Sequence, residues 1–375
     1  MPGRTEGSDS NQMLSFNHDR FSGGKNHVGL RLLLLREIGD RFGVIGRIHN
    51  TKEGGTMKKH SLINLSQALI LLTKPVLGIL VMVFCVPLML SGLASAQTAP
   101  EDFKVKIVKA PDGVLLYAQE WGNASGPEIL FIHGFSQSHL SFIKQTRSDL
   151  AKTFRMVTYD LRGHGGSDKP SGSEYYKEGK RWAGDVQAVI EALNLKKPVL
   201  VGWSMGGRVI SQYLTDYGEK RISGINFVSS MTIADPKSLG PGSLNYLSPM
   251  LSPNLEINIA ATRAFVRACT AKALLPEEFA LIVAFNMTCP AYARDATRQW
   301  PGEFSEVLAK VTVPVLVTHG KADEAILPAA AERTASLIKG AKLSWYEFAG
   351  HMPFWEDPAR FNNELTKFVK EVSAP

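Results

Sequence analysis

The sequence predicts an α/β fold: a mostly parallel eight-stranded sheet with helices on both faces and a helical cap insertion. Three observations predict it. Short apolar segments typical of strands alternate with amphipathic segments typical of helices from Phe103 onward. A serine between glycines, Ser204, stands where a buried strand meets a helix. The alternation stops over residues 232–303, where only helical patterns occur, and then resumes.

The composition is that of a globular protein with no electrostatic signal for nucleic-acid binding. Hydrophobic residues make up 44% and charged residues 21% of the 375 residues, which excludes wholesale disorder. The net charge of +7 lies mostly in residues 1–96, so we expect no nucleic-acid partner for the body. The three cysteines form no CxxC pair and no Cys/His cluster, and we expect no metal site.

Residues 57–96 have the order of a secretory signal. A basic region opens at Met57, a strongly apolar run follows, and the small residues A-S-A end at Ala96. We expect cleavage after Ala96 and an exported protein, periplasmic or secreted. In the alternative, residues 75–95 stay uncleaved as a signal anchor, because the run approaches the roughly 20 residues that span a bilayer. Membrane contact would then occur only through this segment. Residues 1–56 lack sustained periodicity, and we expect a mis-assigned, disordered extension, with translation starting at Met57.

The body divides into a core of two parts, residues 97–231 and 304–375, with a helical cap, 232–303, between them. The Pro-Asp-Gly turn at 111–113 predicts a leading hairpin. Eight strands are predicted at 103–109, 114–121, 128–132, 154–159, 198–202, 222–228, 313–318 and 342–347. Helices are predicted at 138–152, 175–193, 205–217, 255–271, 276–287, 328–338 and 358–369.

Ser204 is the candidate nucleophile. It lies in Gly202-Trp203-Ser204-Met205-Gly206, a G-x-S-x-G motif that follows an apolar strand and opens a helix. Neighbouring backbone must pass close to such a sharp turn, so the positions two before and two after the serine must be very small. The helix points its first N–H groups and its dipole toward negative charge that develops at the serine.

The candidate base and acid follow in the chain order Ser, acid, His. His351 lies between the last predicted strand and the last helix, where the base of such a triad belongs. Asp323 follows the seventh strand and can accept the imidazole N–H, which fixes the tautomer. Glu324 is the adjacent competitor for this role. Asp160 is a weaker rival, since we expect it to form an ion pair with Arg162 within their own loop.

The oxyanion of a tetrahedral intermediate needs two backbone N–H donors near the serine. The segment His133-Gly134-Phe135 ends the third predicted strand, so the N–H of Phe135 is one candidate and that of Met205 is the other. We expect His133, His164 and His319 to be structural hydrogen-bonding residues and not catalytic ones.

Taken together, the motifs resemble the α/β-hydrolase superfamily, over the chain from about residue 103 to 372. The sequence is most similar to its esterase, perhydrolase and non-haem haloperoxidase-like branch, which implies the α/β-hydrolase fold and no cofactor. Ser204 differs from the aspartate of haloalkane dehalogenases and epoxide hydrolases, and HGF differs from the HGGG of hormone-sensitive-lipase types. The motifs are HGF at 133–135, DLRGHGGSD at 160–168, GWSMGG at 202–207, HGKAD at 319–323 and GHMPFWEDP at 350–358.

These features predict a serine hydrolase that cleaves a carboxylic ester through an acyl-enzyme on Ser204. We expect a neutral, small or medium, largely apolar small-molecule substrate, because the candidate pocket residues are apolar. One alternative uses the same triad for perhydrolysis, or to cleave a carbon–carbon bond, an amide or a lactone. Another is a non-catalytic ligand-binding protein. The candidate pocket residues are Trp203, Met231, Phe265, Phe285, Met352 and Phe354.

Cys269 and Cys289 are not expected to form a disulfide. A helix of about 12 residues lies between them and spans roughly 18 Å at ~1.5 Å per residue. A disulfide needs Cα atoms within about 7 Å of each other. In a simple helical hairpin, one cysteine lies near the turn and the other at the far end.

Overall fold

The computed structural model describes residues 103–233 and 235–373. The predicted extension, 1–56, and the predicted signal segment, 57–96, lie outside these described residues, so both stay predictions. Within the described ranges, no helix is both long enough and apolar enough to cross a bilayer.

The eight strands form one sheet in the order β1-β2-β4-β3-β5-β6-β7-β8. The pairs β1–β2 and β2–β4 are antiparallel, and the other five pairs are parallel. The predicted eight-stranded, mostly parallel sheet is therefore confirmed. The strands are β1 (Phe103–Lys109), β2 (Leu115–Gly122), β3 (Glu128–Ile132), β4 (Arg155–Tyr159), β5 (Val199–Trp203), β6 (Gly224–Val228), β7 (Val315–Gly320) and β8 (Lys342–Tyr346).

Helices cover both faces of the sheet and form the insertion between β6 and β7. They are α1 (Ile143–Thr146), α2 (Leu150–Thr153), α3 (Glu174–Lys177), α4 (Gly179–Ala192), α5 (Met205–Tyr217), α6 (Pro241–Tyr246), α7 (Leu255–Ala268), α8 (Pro276–Met287), α9 (Ala291–Arg298), α10 (Ser305–Leu308), α11 (Ala329–Leu337), α12 (Pro353–Glu356) and α13 (Pro358–Val372). Short 3₁₀ turns lie at His139–Phe142, Pro236–Ser238 and Pro249–Leu251.

The central strands are buried on both faces, which explains their continuous apolar runs. Every residue of β5, β6 and β7 is buried. Two hydrophobic clusters fill the space between the sheet and the helices: one contains Trp182 and the other Trp203. The apolar face predicted for α4 is confirmed, since Trp182, Val186, Val189 and Ile190 are all buried.

The predicted helix over 138–152 is wrong, because local polar contacts break it into a 3₁₀ turn, α1 and α2. Ser148 accepts a hydrogen bond from the N–H of Leu150 at 3.2 Å and donates one to the carbonyl of Gln145 at 2.7 Å. Serine hydroxyls compete in this way with the helical ladder. The predicted helix over 175–193 is likewise divided at Glu178 into α3 and α4.

The regular elements in the described residues of the predicted cap, 232–303, are all helical. The start of α6 lies on the loop that carries Asp323. The N–H groups of Gly240 and Gly242 donate to the carbonyls of Ala325 and Glu324, at 3.0 and 2.8 Å. The cap therefore contacts the candidate acid's loop directly.

Candidate active site

Ser204 occupies a strained corner between β5 and α5. Its backbone has φ of 54° and ψ of −118°, a conformation that costs a non-glycine residue on the order of 1–3 kcal/mol. A methyl group at Gly202 would lie 2.8 Å from the Gly206 carbonyl oxygen, and one at Gly206 would overlap the Ile132 carbonyl oxygen. The prediction that both positions must be very small is confirmed. The fold holds the strain because packed backbone surrounds the turn.

The structure brings His351 and Asp323 together. The two side chains are buried, and Nδ1 of His351 lies 2.8 Å from Oδ2 of Asp323. His351 follows β8 and Asp323 follows β7, so the pairing arises because these parallel strands are neighbours in the sheet. With the Nδ1 proton donated to the carboxylate, Nε2 remains free to accept a proton.

The Asp323 carboxylate is held by hydrogen bonds on both oxygens. Oδ1 accepts from the N–H groups of Ala325 and Ile326 at 2.8 and 2.9 Å. Oδ2, besides facing His351, lies 3.2 Å from Nε2 of His319. Burial alone would raise the pKa of Asp323, but the two histidines and these hydrogen bonds hold it well below its usual range. The group is therefore an anion at neutral pH.

His351 lies beside the serine turn. The indole N–H of Trp203 donates to the His351 carbonyl at 2.8 Å, and the two rings pack with centroids 5.5 Å apart. Among the described residues, no hydrogen bond joins the Ser204 hydroxyl to the imidazole. Such bonds are often long in ligand-free sites and tighten when substrate binds.

The loop after β3 lies next to Ser204. A methyl group at Gly134 would lie 3.0 Å from Cβ of Ser204, so this backbone passes against the nucleophile. Within the described hydrogen bonds, the N–H groups of Phe135 and Met205 have no protein acceptor. The first N–H groups of a helix are unpaired by geometry, which accounts for Met205. The predicted role of both N–H groups as oxyanion donors requires that they have no protein acceptor, and that condition is met.

The histidines at 133 and 164 brace this loop. Nε2 of His133 accepts from the N–H of Leu161, and Nε2 of His164 accepts from the N–H of Ser136, both at 3.0 Å. Burial lowers the pKa of His133 to about 4 and that of His164 to about 3. Both rings are therefore neutral acceptors, and their predicted structural roles are confirmed.

Buried neutral histidines make stability depend on pH. The folded pKa of His164 lies below the unfolded value of about 6.5, so the unfolded state binds more protons between these values. Its stabilisation is complete above about pH 6.5 and declines as the pH falls. Between pH 7 and pH 5 the wild-type protein should lose about 2 kcal/mol of unfolding free energy through His164. The His164→Asn variant should not lose this part. Urea unfolding of both proteins at the two pH values measures it, and identical pH dependence would contradict it.

Five of the six predicted pocket residues are buried, and Met231 is half-buried. Trp203, Met352 and Phe354 are in the packed core, with at most 1% of their surface exposed, and Trp203 directly precedes the nucleophile in the chain. Substrate could contact these three side chains only if the residues that cover them moved. Their role in binding therefore stays a prediction. Phe265 and Phe285 belong to the cap helices and are also buried, with 5% and 4% of their surface exposed, so their contact with substrate stays a prediction as well. Met231 lies three residues after the end of β6.

The expected Asp160–Arg162 ion pair is wrong. Arg162 is buried and pairs with Asp185 at 2.6 Å and Asp112 at 2.7 Å, while Asp160 accepts from the ring and the backbone N–H of His139 at 2.9 and 2.7 Å. The partners of Arg162 are distant in sequence, and only the packing of α4 against the loops brings them together.

Sequence reasoning missed two contacts that support the site. His319 lies against Asp323, and its i,i+4 spacing in HGKAD is a signal that was available. Asn286 of α8 holds the loop after β3: the Ser136 hydroxyl donates to its carbonyl at 3.2 Å, and its own amide donates to Gln137 at 3.3 Å. No local pattern indicates the second contact.

Cys269 and Cys289 are both free and buried. Over the part of the chain that the structure describes, no group of three or more His, Cys, Asp or Glu side chains is placed to hold a metal ion.

Comparison with known proteins identifies the family. The family described as "Alpha/beta hydrolase family" matches residues 129–364, which is more than half of the chain. This chain belongs to the alpha/beta hydrolase family. Its eight-stranded, mostly parallel sheet with helices is the alpha/beta hydrolase fold.

Named relatives of this alpha/beta hydrolase include esterases and haloperoxidases. A non-heme chloroperoxidase of Streptomyces lividans is 27% identical over 70% of this chain and 99% of its own length. A bifunctional esterase/perhydrolase of Acinetobacter calcoaceticus is 27% identical over 70% and 99%. A solved structure from Burkholderia cenocepacia, described as an aryl esterase, is 37% identical over 72% and 99%, with a TM-score of 0.69. These similarities support a hydrolase.

Proposed function

We propose that this alpha/beta hydrolase is a serine carboxylic-ester hydrolase that forms an acyl-enzyme on Ser204. One observation carries the proposal: a buried His351–Asp323 hydrogen bond of 2.8 Å lies beside Trp203, directly before the strained serine. A hydroxyl is a weak nucleophile and needs a base that a third group orients. The three residues supply these roles as nucleophile, base and acid.

In the proposed first half-reaction, Ser204 attacks the ester carbonyl while Nε2 of His351 takes its proton. Asp323 stabilises the imidazolium and keeps the ring oriented. The negative charge moves to the carbonyl oxygen, where the N–H groups of Phe135 and Met205 donate to it. Loss of one such donor typically costs about 3–4 kcal/mol of transition-state stabilisation. The intermediate collapses, and His351 returns the proton to the departing alcohol.

In the second half-reaction, water attacks the acyl-enzyme and His351 takes a proton from it. In the collapse of this second intermediate the acyl bond to Ser204 breaks, the serine oxygen takes the proton back from His351, and the carboxylic acid is released. Phe265 and Phe285, from the cap, are candidates for contact with an apolar acyl or alcohol group. A neutral ester suits such side chains, because an unpaired charge would lose its hydration there.

A second candidate is perhydrolysis on the same acyl-enzyme. Peroxide in place of water would attack the acyl group, release a peracid and restore the serine. The peracid would then oxidise a halide in solution. The relatives support this candidate, since one is a non-heme chloroperoxidase and another a bifunctional esterase/perhydrolase. Both candidates require the same triad.

The test combines active-site labelling with a substrate panel. We expect a fluorophosphonate probe to label Ser204 and to block hydrolysis of p-nitrophenyl esters. Acetate, butyrate and octanoate esters, one amide and one lactone define the substrate class, and each is assayed with and without hydrogen peroxide and bromide. Peroxide-dependent bromination supports the second candidate. Stable binding of a ligand without labelling or turnover would instead indicate a non-catalytic protein.

A further inference from the structure

Glu356 lies at the end of α12, five residues after the proposed base. Its Oε1 accepts a hydrogen bond from the N–H of Gly350 at 2.7 Å. Gly350 directly precedes His351 in the segment between β8 and α12, which we call the histidine loop (residues 349–352). The carboxylate therefore holds this loop by its backbone, one residue before the imidazole.

The other oxygen of Glu356 binds the cap. Oε2 accepts from the N–H groups of Ala271 and Lys272, at 2.8 and 3.1 Å. These residues belong to the segment between α7 and α8, which we call the cap turn (residues 269–275). One carboxylate thus bridges two backbone segments that are remote in sequence, and hydrogen bonds to a charged acceptor are stronger than neutral ones.

The packing around Gly350 shows how closely the two segments meet. A methyl group there would lie 2.8 Å from the backbone nitrogen of Ala271. A methyl group at Gly320 would likewise overlap the Gly350 carbonyl oxygen. The histidine loop is therefore in close contact with both the end of β7 and the cap turn. Movement of the cap turn would remove one of these two contacts of the histidine loop.

Glu356 has no ion-pair partner among the described residues, so the three backbone N–H groups are its main support. Burial raises the pKa of this half-buried carboxyl, and the charge of Asp323 acts in the same direction, while the three hydrogen bonds oppose them. A carboxylate that serves only solubility would lie in water. This one is oriented between the base and the cap.

We propose that Glu356 is a positioning residue. It ties the histidine loop to the cap turn, so that His351 reaches Ser204 only when the cap turn is bound to the Glu356 carboxylate. This inference rests on the proposed function. His351 has one anchor at its own carbonyl, from the indole of Trp203, and a second through Gly350 and Glu356. Without the second, the ring keeps its bond to Asp323 but its Nε2 shifts relative to the serine.

The experiment measures the reactivity of Ser204 separately from folding. In Glu356→Ala we expect the rate constant for fluorophosphonate labelling and kcat for a p-nitrophenyl ester to fall about 10- to 100-fold, with KM nearly unchanged. Misplacement of a catalytic group by about 1 Å produces losses of this size. Glu356→Gln should recover part of the rate, because its amide oxygen can still accept from Gly350. Thermal unfolding shows that each variant is folded.

Tyr292→Phe is the matched control. It removes a cap-to-core hydrogen bond, from the Tyr292 hydroxyl to the Lys169 carbonyl at 2.7 Å, which touches neither the histidine loop nor the serine turn. We expect wild-type labelling and turnover from it. An equal loss in this variant would show that any weakening of the cap has the same effect, and would overturn the specific role of Glu356.

A folded Glu356→Ala protein that labels and turns over at wild-type rates overturns the inference and leaves the proposed function intact. If that variant does not fold, Glu356→Gln and Gly350→Ala carry the test. Gly350→Ala should also lower the labelling rate, since its methyl group pushes the cap turn away. Wild-type protein that reacts with neither probe nor ester would remove the proposed function and this inference with it.

Discussion

Replacing Ser204 with alanine is expected to abolish ester hydrolysis, with kcat lower by on the order of 10⁴-fold or more, and to abolish fluorophosphonate labelling. The reason is that no acyl-enzyme can form without the hydroxyl, and the remaining oxyanion donors support only weak catalysis by water. The strained backbone at this corner, with φ of 54°, tolerates alanine as it does serine, so the variant should fold. The measurements are kcat with p-nitrophenyl butyrate and mass spectrometry of the labelled protein.

Ser211→Ala is the matched control for this prediction. Ser211 lies on α5, the helix that follows the nucleophile, and its buried hydroxyl donates to the Gly207 carbonyl at 2.9 Å. The variant removes the same kind of atom from the helix that follows the corner and leaves the corner itself unchanged. We expect near wild-type turnover. Retention of full activity in Ser204→Ala would contradict the proposed nucleophile.

The second large effect is expected from Asp323→Asn, which should lower kcat on the order of 10³- to 10⁴-fold, as loss of the equivalent charge does in serine proteases. The N–H groups of Ala325 and Ile326 require an acceptor on one side of this group. The asparagine oxygen must therefore face them, and its NH₂ must face His351. The imidazole then accepts at Nδ1 and carries its proton on Nε2, so it cannot take the serine proton.

A pH–rate profile with the ester substrate measures this effect, and Glu324→Gln provides the control. Glu324 is the adjacent carboxylate, is exposed, and was the competing candidate for the acid. We expect wild-type rates from Glu324→Gln. Loss of activity in Glu324→Gln, with retention in Asp323→Asn, would transfer the acid's role to the neighbour.

Much of the fold could be predicted because its signals are local. The bounds predicted for α5 and α8 are confirmed: α5 has an apolar spacing typical of a helix, and α8 begins at Pro276. The helix predicted over 138–152 was wrong, because the side chain of Ser148 interrupts it through its own hydrogen bonds. A hydrophobic periodicity does not report such competition.

Within the site, the order of the motifs along the chain was a better guide to the triad residues than closeness in sequence was to the partners of charged side chains. The positions of Ser204, Asp323 and His351 follow from motifs at the ends of strands, and parallel strands bring their carboxyl ends to one edge. The partners of Arg162 could not be predicted in this way, since Asp112 and Asp185 lie on other elements and the nearest acid in sequence, Asp160, turned out to bind His139.

By itself, the sequence determined the kind of corner that holds Ser204, the order of nucleophile, acid and base, and the alternation that builds the sheet. These depend on backbone geometry and side-chain spacing within a few residues. Only the tertiary structure decided that His164 braces the loop after β3 and that Glu356 joins the histidine loop to the cap. Those contacts join segments remote in the chain, and their partners are mostly backbone N–H groups, which every residue except proline carries and no sequence pattern distinguishes.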